Sequence, residues 1–135
     1  MYLIDMVVNK TEHRVKYADT DHFGVVYYGR YLEWFEVGRT EILRVNGITY
    51  AELEKKGLFA PVVEVKVNYK KPAKYDEVVN LETSISHIGN SSIRFDYKLV
   101  NQKDELVAEG HTVNVFIDKE MNPVRIPDDV RGVLK

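Results

Sequence analysis

The stretch YADTDHFGVVYYGRY, residues 17–31, holds the side chains best suited to chemistry, because two carboxylates stand one residue apart just before Gly24. Asp19 and Asp21 admit three interpretations. A carboxylate pair can bind Mg²⁺ or Mn²⁺. Aspartates can instead accept backbone N–H groups in a turn that leads into a helix. A single carboxylate can also act as a general base or a nucleophile.

The metal interpretation is the weakest of the three, because no third ligand lies at a suitable spacing. The chain contains no cysteine, which excludes disulfides and thiolate sites. The four histidines are scattered without metal-ligand spacing: His13, His22, His87 and His111. We therefore predict no metal site, and the turn and the catalytic interpretations stay open.

The composition predicts one soluble globular domain spanning residues 1–135. The chain is 44% hydrophobic and 30% charged, and it is long enough for a single core. A net charge of -2 offers no basic field for sequence-independent binding of nucleic acid. The N-terminal run is too short for a signal peptide or a membrane span, so we expect a cytoplasmic protein.

A long helix is predicted after the aspartate stretch. Apolar residues recur at spacings of three and four from Tyr28 to Val45, and Asn46 and Gly47 form a typical C-terminal stop. Thr49, with Glu52 three residues later, predicts the capped start of a second, short helix. Within the long helix, Glu36 and Arg39 are spaced for a salt bridge.

Alternation of apolar and polar residues predicts strands on both sides of the helices. One strand covers residues 11–17, and four more follow Gly57, the last spanning residues 106–118. Tight connections make the later strands mostly antiparallel neighbours, which gives an α+β fold. A sheet of about five strands covered by one helix leaves edges and apolar surface open, so we expect self-association.

The start of the long helix supports the catalytic interpretation. Gly24 lets the chain fold back, and the backbone N–H groups of Tyr27 and Tyr28 are expected to be unpaired at the positive end of the helix dipole. Such donors can polarise a carbonyl and stabilise an oxyanion, while Asp21 activates water or attacks the carbonyl. These groups suffice for hydrolysis of an ester or thioester without serine, cysteine or metal.

The segment YADTDHFGVVYYGRYLEWFEVGRTEILR, residues 17–44, resembles the N-terminal signature of the 4-hydroxybenzoyl-CoA thioesterase family. These are hotdog-fold acyl-CoA thioesterases, and the segment is most similar to the branch associated with the bacterial Tol-Pal system. Nine residues carry the resemblance: Tyr17, Asp19, Asp21, Gly24, Val26, Tyr27, Tyr31, Glu36 and Arg39.

The resemblance implies an antiparallel sheet of about five strands wrapped around one long central helix, in a dimer or tetramer. It implies hydrolysis of acyl-CoA to a free acid and CoA, with no cofactor other than the CoA of the substrate. Asp21 would be the catalytic carboxylate, with Asp19 fixing the turn beside it, and the backbone N–H of Tyr28 would face the thioester carbonyl. Many relatives carry histidine at the position of Tyr28, but any residue except proline supplies that N–H.

Further residues are expected to bind the substrate. His22 adjoins Asp21 and could tune the site, and Val26 and Tyr27 lie next to the helix start. In the family, the chain before Pro61 enters the acyl pocket of the partner subunit, which here implicates Phe59 and Ala60. The turn holding Asn90, Ser91 and Ser92 corresponds to a loop that meets the phosphates of CoA in some members.

Two other functions remain open on the sequence alone. A non-catalytic module could bind acyl-CoA or lipid in the same groove. A hotdog dehydratase or hydratase would need a catalytic histidine paired with an acid in a hydratase-type motif, and that motif is absent from the sequence.

Overall fold

A computed structural model describes residues 8–134, so the expectations for the N-terminal run lie partly outside the described residues. Its elements follow in chain order: β1 (Val8–Arg14), a 3₁₀ turn (Tyr17–Asp19), α1 (Arg30–Val45), α2 (Tyr50–Lys55), β2 (Val62–Tyr69), β3 (Val78–Ile88), β4 (Ser92–Asn101), β5 (Leu106–Val115) and α3 (Asp128–Leu134).

The five strands form one antiparallel sheet in the order β1-β3-β4-β5-β2. This confirms the α+β class and the predicted number of strands. The expectation that the later strands are mostly antiparallel neighbours is confirmed for β3, β4 and β5, whereas β2 and β3 are consecutive in the chain but are not neighbours in the sheet. Their connection crosses the sheet, which leaves β2 at an edge with β5 as its partner among the described strands.

Helix α1 has 16 residues and is the longest helix of residues 8–134, so the one long central helix that the resemblance implies is not evident at this length. Its three-and-four spacing gives one face of buried residues: Tyr31, Trp34, Phe35, Gly38, Ile42 and Leu43. Phe35 stacks on Tyr97 of β4, with ring centroids 4.1 Å apart. Three members of the predicted apolar stripe, Tyr28, Leu32 and Val45, are instead exposed.

Several element ends differ from the sequence-based expectation. β1 ends at Arg14, because the chain then bends into the 3₁₀ turn, and β5 ends at Val115 rather than at residue 118. The capped start of α2 is confirmed, since Thr49 Oγ1 accepts the Glu52 backbone N–H at 3.2 Å. No helix within residues 8–134 has the length and hydropathy needed to cross a membrane.

Helix α3 was not predicted. Its first turn carries Asp128 and Asp129, directly after Pro127, and these residue types are typical of a helix N-terminus. Val130 and Leu134 are buried and attach the helix to the core.

Candidate active site

Residues 19–27 form a closed loop that leads directly into α1. An antiparallel bridge joins Thr20 to Val26, and inside it the Asp21 N–H donates to the Val25 carbonyl at 2.9 Å. Gly24 lies at the turn with φ of +82°, a conformation that glycine adopts without steric cost. The loop therefore has a defined backbone on which Asp21 is fixed.

The carboxylate of Asp21 is held through one of its two oxygens. Oδ1 accepts the Phe23 backbone N–H at 2.8 Å, and the side chain is half-buried. Within residues 8–134 the other oxygen, Oδ2, has no hydrogen-bond partner. The turn interpretation thus applies to one oxygen, while the second is free to accept a proton or attack a carbonyl.

Asp19 is buried, with 4% of its surface exposed, and it connects three parts of the site. Its Oδ2 accepts the Lys16 N–H at 2.8 Å, and its Oδ1 lies 3.8 Å from Nε of Arg30. Its carbonyl accepts the Tyr27 N–H at 2.9 Å. A buried carboxylate requires such partners, and here they tie the 3₁₀ turn to the start of α1.

The free backbone donors at the helix start are those of Tyr28 and Gly29. The expectation of an unpaired N–H at Tyr27 is wrong, because that group closes the loop onto Asp19. Within the described part of the chain, neither the Tyr28 nor the Gly29 N–H donates a hydrogen bond. Both precede the first residue of α1, where the helix dipole favours negative charge.

Aromatic rings surround these donors. The Tyr27 and Tyr28 rings lie 4.6 Å apart, and both side chains are exposed. An added Cβ at Gly29 would lie 2.8 Å from the Tyr27 ring, so that exposed ring would have to shift. Val26, by contrast, is buried, and its N–H donates to the Ala73 carbonyl at 2.8 Å.

His22 is exposed and lies on the same loop as Asp21. Its ring contacts that of Phe23, with centroids 4.7 Å apart, and no hydrogen bond to another described residue holds it. The structure therefore groups His22, Val26 and Tyr27 with Asp21 and Tyr28.

The remaining predicted residues form a second group around the segment after β5. Phe59 and Ile117 exchange both backbone hydrogen bonds, at 3.0 and 2.8 Å, and Ala60 follows next. The Ser91 carbonyl accepts the Phe116 N–H at 2.7 Å, which brings the turn at residues 90–92, with Asn90, Ser91 and Ser92, to the same end of β5.

The two groups lie at opposite ends of β2. The strand begins just after Phe59 and Ala60, and it ends at Tyr69, whose hydroxyl reaches the Tyr28 carbonyl at 3.1 Å. Seven steps of about 3.3 Å each separate those ends by about 23 Å. One chain therefore does not bring the two groups of predicted site residues together.

Two residues that position the site were missed from the sequence. Arg30 donates to the Ala18 carbonyl and faces Asp19, and Tyr69 holds the Tyr28 carbonyl. Tyr69 is the last residue of a regular alternation of apolar and polar residues. That alternation predicts a strand and does not mark Tyr69 as part of a site. Arg30 lies beside an Asp-rich turn, and that charge pattern is the single signal that could have identified it.

The predicted salt bridge between Glu36 and Arg39 is wrong, since no ion pair joins them among residues 8–134. Arg39 instead lies beside the hydroxyls of Tyr50 and Tyr97. Burial raises the pKa of Tyr50 to about 12, while the nearby Arg39 acts in the opposite direction. Arg39 thus belongs to the packing of α1 rather than to the aspartate loop.

No group of three or more histidine, aspartate and glutamate side chains within residues 8–134 is arranged to hold a metal ion. The loop that carries the Asp21 carboxylate leads to the free backbone N–H donors at the helix start. This set can polarise a carbonyl and deliver a nucleophile to it.

Residues 15–134 match the family model of the thioesterase-like superfamily. The chain belongs to this superfamily. A putative acyl-CoA thioesterase, YneP of Bacillus subtilis, is 38% identical to it over 115 residues, which cover 85% of this chain and 83% of YneP. The acyl-CoA thioesterase YbgC of Haemophilus influenzae is 37% identical over 122 residues, 88% of each chain.

Among solved structures of the superfamily, a DHNA-CoA thioesterase from Staphylococcus aureus superposes with a TM-score of 0.90. It is 34% identical, and the alignment covers 95% of this chain and 89% of that one. This likeness supports the hotdog fold implied by the sequence of residues 17–44.

Proposed function

We infer that this thioesterase-like chain hydrolyses acyl-CoA thioesters to a free acid and CoA. The observation that carries the inference is the pairing of a free carboxylate oxygen on Asp21 with free backbone N–H groups at the start of α1, where the same loop ends. The same activity is ascribed to two relatives, the putative acyl-CoA thioesterase YneP and the acyl-CoA thioesterase YbgC.

The N–H of Tyr28 is proposed to bind the thioester carbonyl oxygen. As the carbonyl carbon is attacked, negative charge develops on that oxygen, and the N–H and the helix dipole stabilise it. Asp21 takes a proton from the attacking water, or attacks the carbon itself to form an anhydride that water then cleaves. In either route the tetrahedral intermediate collapses by breaking its C–S bond and expels CoA as a thiolate, and a proton of the water that is consumed ends on the sulfur.

We propose that the complete site needs a second copy of the chain. The edge strand β2 exposes Val63 and Val65, 61% and 45% accessible, and lacks a partner on its outer side among the described strands. If two copies of β2 pair antiparallel about a twofold axis, the start of one strand meets the end of the other. Phe59 of one protomer then lies near the Asp21 loop of its partner.

In this arrangement His22 and Tyr27 line the site from one protomer, and Phe59 and Ala60 line the acyl pocket from the other. The expectation that Val26 binds substrate is not kept, because its side chain is buried in the core. The turn with Asn90, Ser91 and Ser92 offers neutral donors to the phosphates of CoA. A dimer and a tetramer are both compatible with this pairing of two β2 strands.

Residues 1–135 act as one hotdog domain with the sheet wrapped around α1, and no cofactor is needed beyond the CoA of the substrate. We propose a cytoplasmic enzyme of the branch associated with the Tol-Pal system, on the resemblance carried by residues 17–44.

The test is release of free CoA, measured with a thiol reagent on a panel of acyl-CoAs. Asp21→Asn is expected to lower kcat roughly 10²- to 10⁴-fold while the fold is kept, because the base or nucleophile is lost. Asp104→Asn is the matched control, since Asp104 is exposed and its positive φ suits asparagine.

Wild-type turnover in Asp21→Asn would show that Asp21 is not the catalytic carboxylate. Tight binding of acyl-CoA by the wild-type protein without release of CoA would establish the non-catalytic binding module instead. Hydration or dehydration of an enoyl-CoA or hydroxyacyl-CoA in the same panel would indicate the third function.

A further inference from the structure

Tyr69 joins two distant parts of the chain at the proposed oxyanion site. It is the last residue of β2, and its hydroxyl donates to the backbone carbonyl of Tyr28, 41 residues earlier, at 3.1 Å. Its ring also contacts the rings of Tyr28 and Tyr31, with centroids 6.4 and 5.3 Å away. The ring contacts restrict where the hydroxyl can reach.

The carbonyl that Tyr69 holds belongs to the peptide group between Tyr28 and Gly29. A trans peptide group is planar, with its C=O and N–H pointing in opposite directions, so fixing the Tyr28 carbonyl also fixes the Gly29 N–H. That N–H is one of the two free donors at the start of α1.

The preceding peptide group, between Tyr27 and Tyr28, is anchored in the same way. Its carbonyl accepts the Arg30 N–H at 2.9 Å, and its N–H, that of Tyr28, is the other free donor. Two consecutive peptide groups are thus each held through the carbonyl, and each presents an unused N–H. The first anchor is part of the backbone at the helix start, whereas the second is a side chain that substitution can remove.

We propose that Tyr69 is a positioning residue, whose hydroxyl orients the Gly29 N–H as a second donor to the thioester carbonyl oxygen beside the Tyr28 N–H. This inference rests on the proposed thioesterase activity. Partial burial and the neighbouring Tyr28 raise the pKa of Tyr69, which keeps the hydroxyl a donor throughout the neutral and mildly alkaline range.

An oriented donor acts mainly in the transition state, where the carbonyl oxygen carries the most charge. Loss of the Tyr69 hydroxyl should therefore lower kcat and leave substrate binding almost unchanged. A role in packing alone would act through the ring, which phenylalanine retains.

The first experiment compares Tyr69→Phe with the wild-type enzyme. We expect kcat to fall about ten- to a hundredfold and KM to change less than about twofold, since loss of a whole oxyanion donor costs about 10²- to 10³-fold. Tyr75→Phe is the control, because Tyr75 is exposed and its hydroxyl makes no hydrogen bond within the described residues. Thermal unfolding of both variants verifies that they fold.

The second experiment measures polarisation of the carbonyl directly. An acyl-CoA labelled with ¹³C at the thioester carbonyl is bound to Asp21→Asn, and its infrared stretch is compared with that in Asp21→Asn/Tyr69→Phe. We expect the stretch to move towards its value in solution when the hydroxyl is removed. An unchanged stretch overturns the inference, even if kcat falls.

The two proposals fail in distinguishable ways. If the wild-type protein releases no CoA from any acyl-CoA, the thioesterase function is wrong. If the wild-type protein is active and Tyr69→Phe matches it in kcat, only the role of Tyr69 is wrong.

Discussion

Asp19 and Asp21 are both aspartates and lie two positions apart, yet their different surroundings allow them different roles. Asp19 is buried, and both of its oxygens have partners, the Lys16 N–H and the Arg30 guanidinium. Asp21 is half-buried and has one oxygen engaged. A buried carboxylate with a partner on each oxygen stabilises a turn, whereas one with an oxygen that has no partner can react.

His13, on β1, provides a prediction about pH. Burial lowers the pKa of His13 from its ordinary 6.5, against the opposing charge of Asp19, and its ring lies 5.6 Å from that of Trp34. The unfolded chain therefore binds a proton at a higher pH than the native state does. The free energy of unfolding should fall as pH drops below about 6.5, until the lower native pKa is passed.

Urea unfolding between pH 7.5 and pH 5 checks this sign. We expect His13→Phe to flatten the dependence, and His87→Phe, at an exposed position of β3, to leave it as in the wild type. An equal slope in His13→Phe and the wild type would contradict the prediction.

At the scale of elements, the close approach of α1 to the sheet depends on Gly38. An added Cβ would overlap Thr83 Oγ1 and would lie 2.7 Å from Leu81 Cδ2, both on β3. Gly38→Ala should therefore destabilise the fold by about 1–3 kcal/mol, as overpacking of a core does.

Gly132→Ala in α3 is the matched helical control, because nothing lies within 4 Å of its added Cβ. It should be neutral or stabilising by up to about 1 kcal/mol. Chemical denaturation of both variants gives the comparison, and a Gly38→Ala protein as stable as the wild type would show that the helix can shift away from β3.

Local patterns predicted the elements whose signals lie within a few residues. The Thr49 cap of α2 and the alternation in β3 and β4 needed no distant information. The edge position of β2 could not be predicted, because its pairing with β5 joins residues 39 to 52 positions apart, from Tyr69 with Ala108 to Val62 with Asn114. The exposure of Tyr28 could not be predicted for the same reason. The periodic spacing of apolar residues predicts a buried helix face, but it does not show at which residue the sheet that covers this face ends.

The candidate site shows the same division. Asp21 and the Tyr28 N–H follow from a turn and a helix start that are adjacent in the sequence. Arg30 and Tyr69 take part through tertiary contacts, and no pattern in the residues around Tyr69 distinguishes it from other tyrosines.

At the scale of the whole molecule, the two groups of site residues lie at opposite ends of β2, a strand about 23 Å long, so sharing of sites between protomers can be tested directly. Asp21→Asn and Phe59→Asp are each expected to be inactive, the first without its carboxylate and the second with a charge in the acyl pocket. In a mixed dimer, one site would combine the intact loop of one protomer with the intact pocket of the other.

Unfolding the two variants together and refolding the equal mixture should restore about a quarter of wild-type activity, because half of the dimers are mixed and each has one intact site. Size-exclusion chromatography with light scattering provides the control for assembly. A mixture as inactive as its parents would place each complete site within a single chain.

Because α3 follows β5 in the chain, its contacts with earlier segments can form only late in synthesis. Arg131 donates to the carbonyls of Gly89 and Asn90, and it is added to the growing chain 42 residues after Gly89. Earlier segments leave the ribosome and begin to fold first. The turn proposed to receive the CoA phosphates therefore waits, with its carbonyls unpaired to Arg131, until translation has reached α3. The loop at residues 19–27, proposed to carry the catalytic carboxylate, and Tyr69 at the end of β2 are synthesised well before that point.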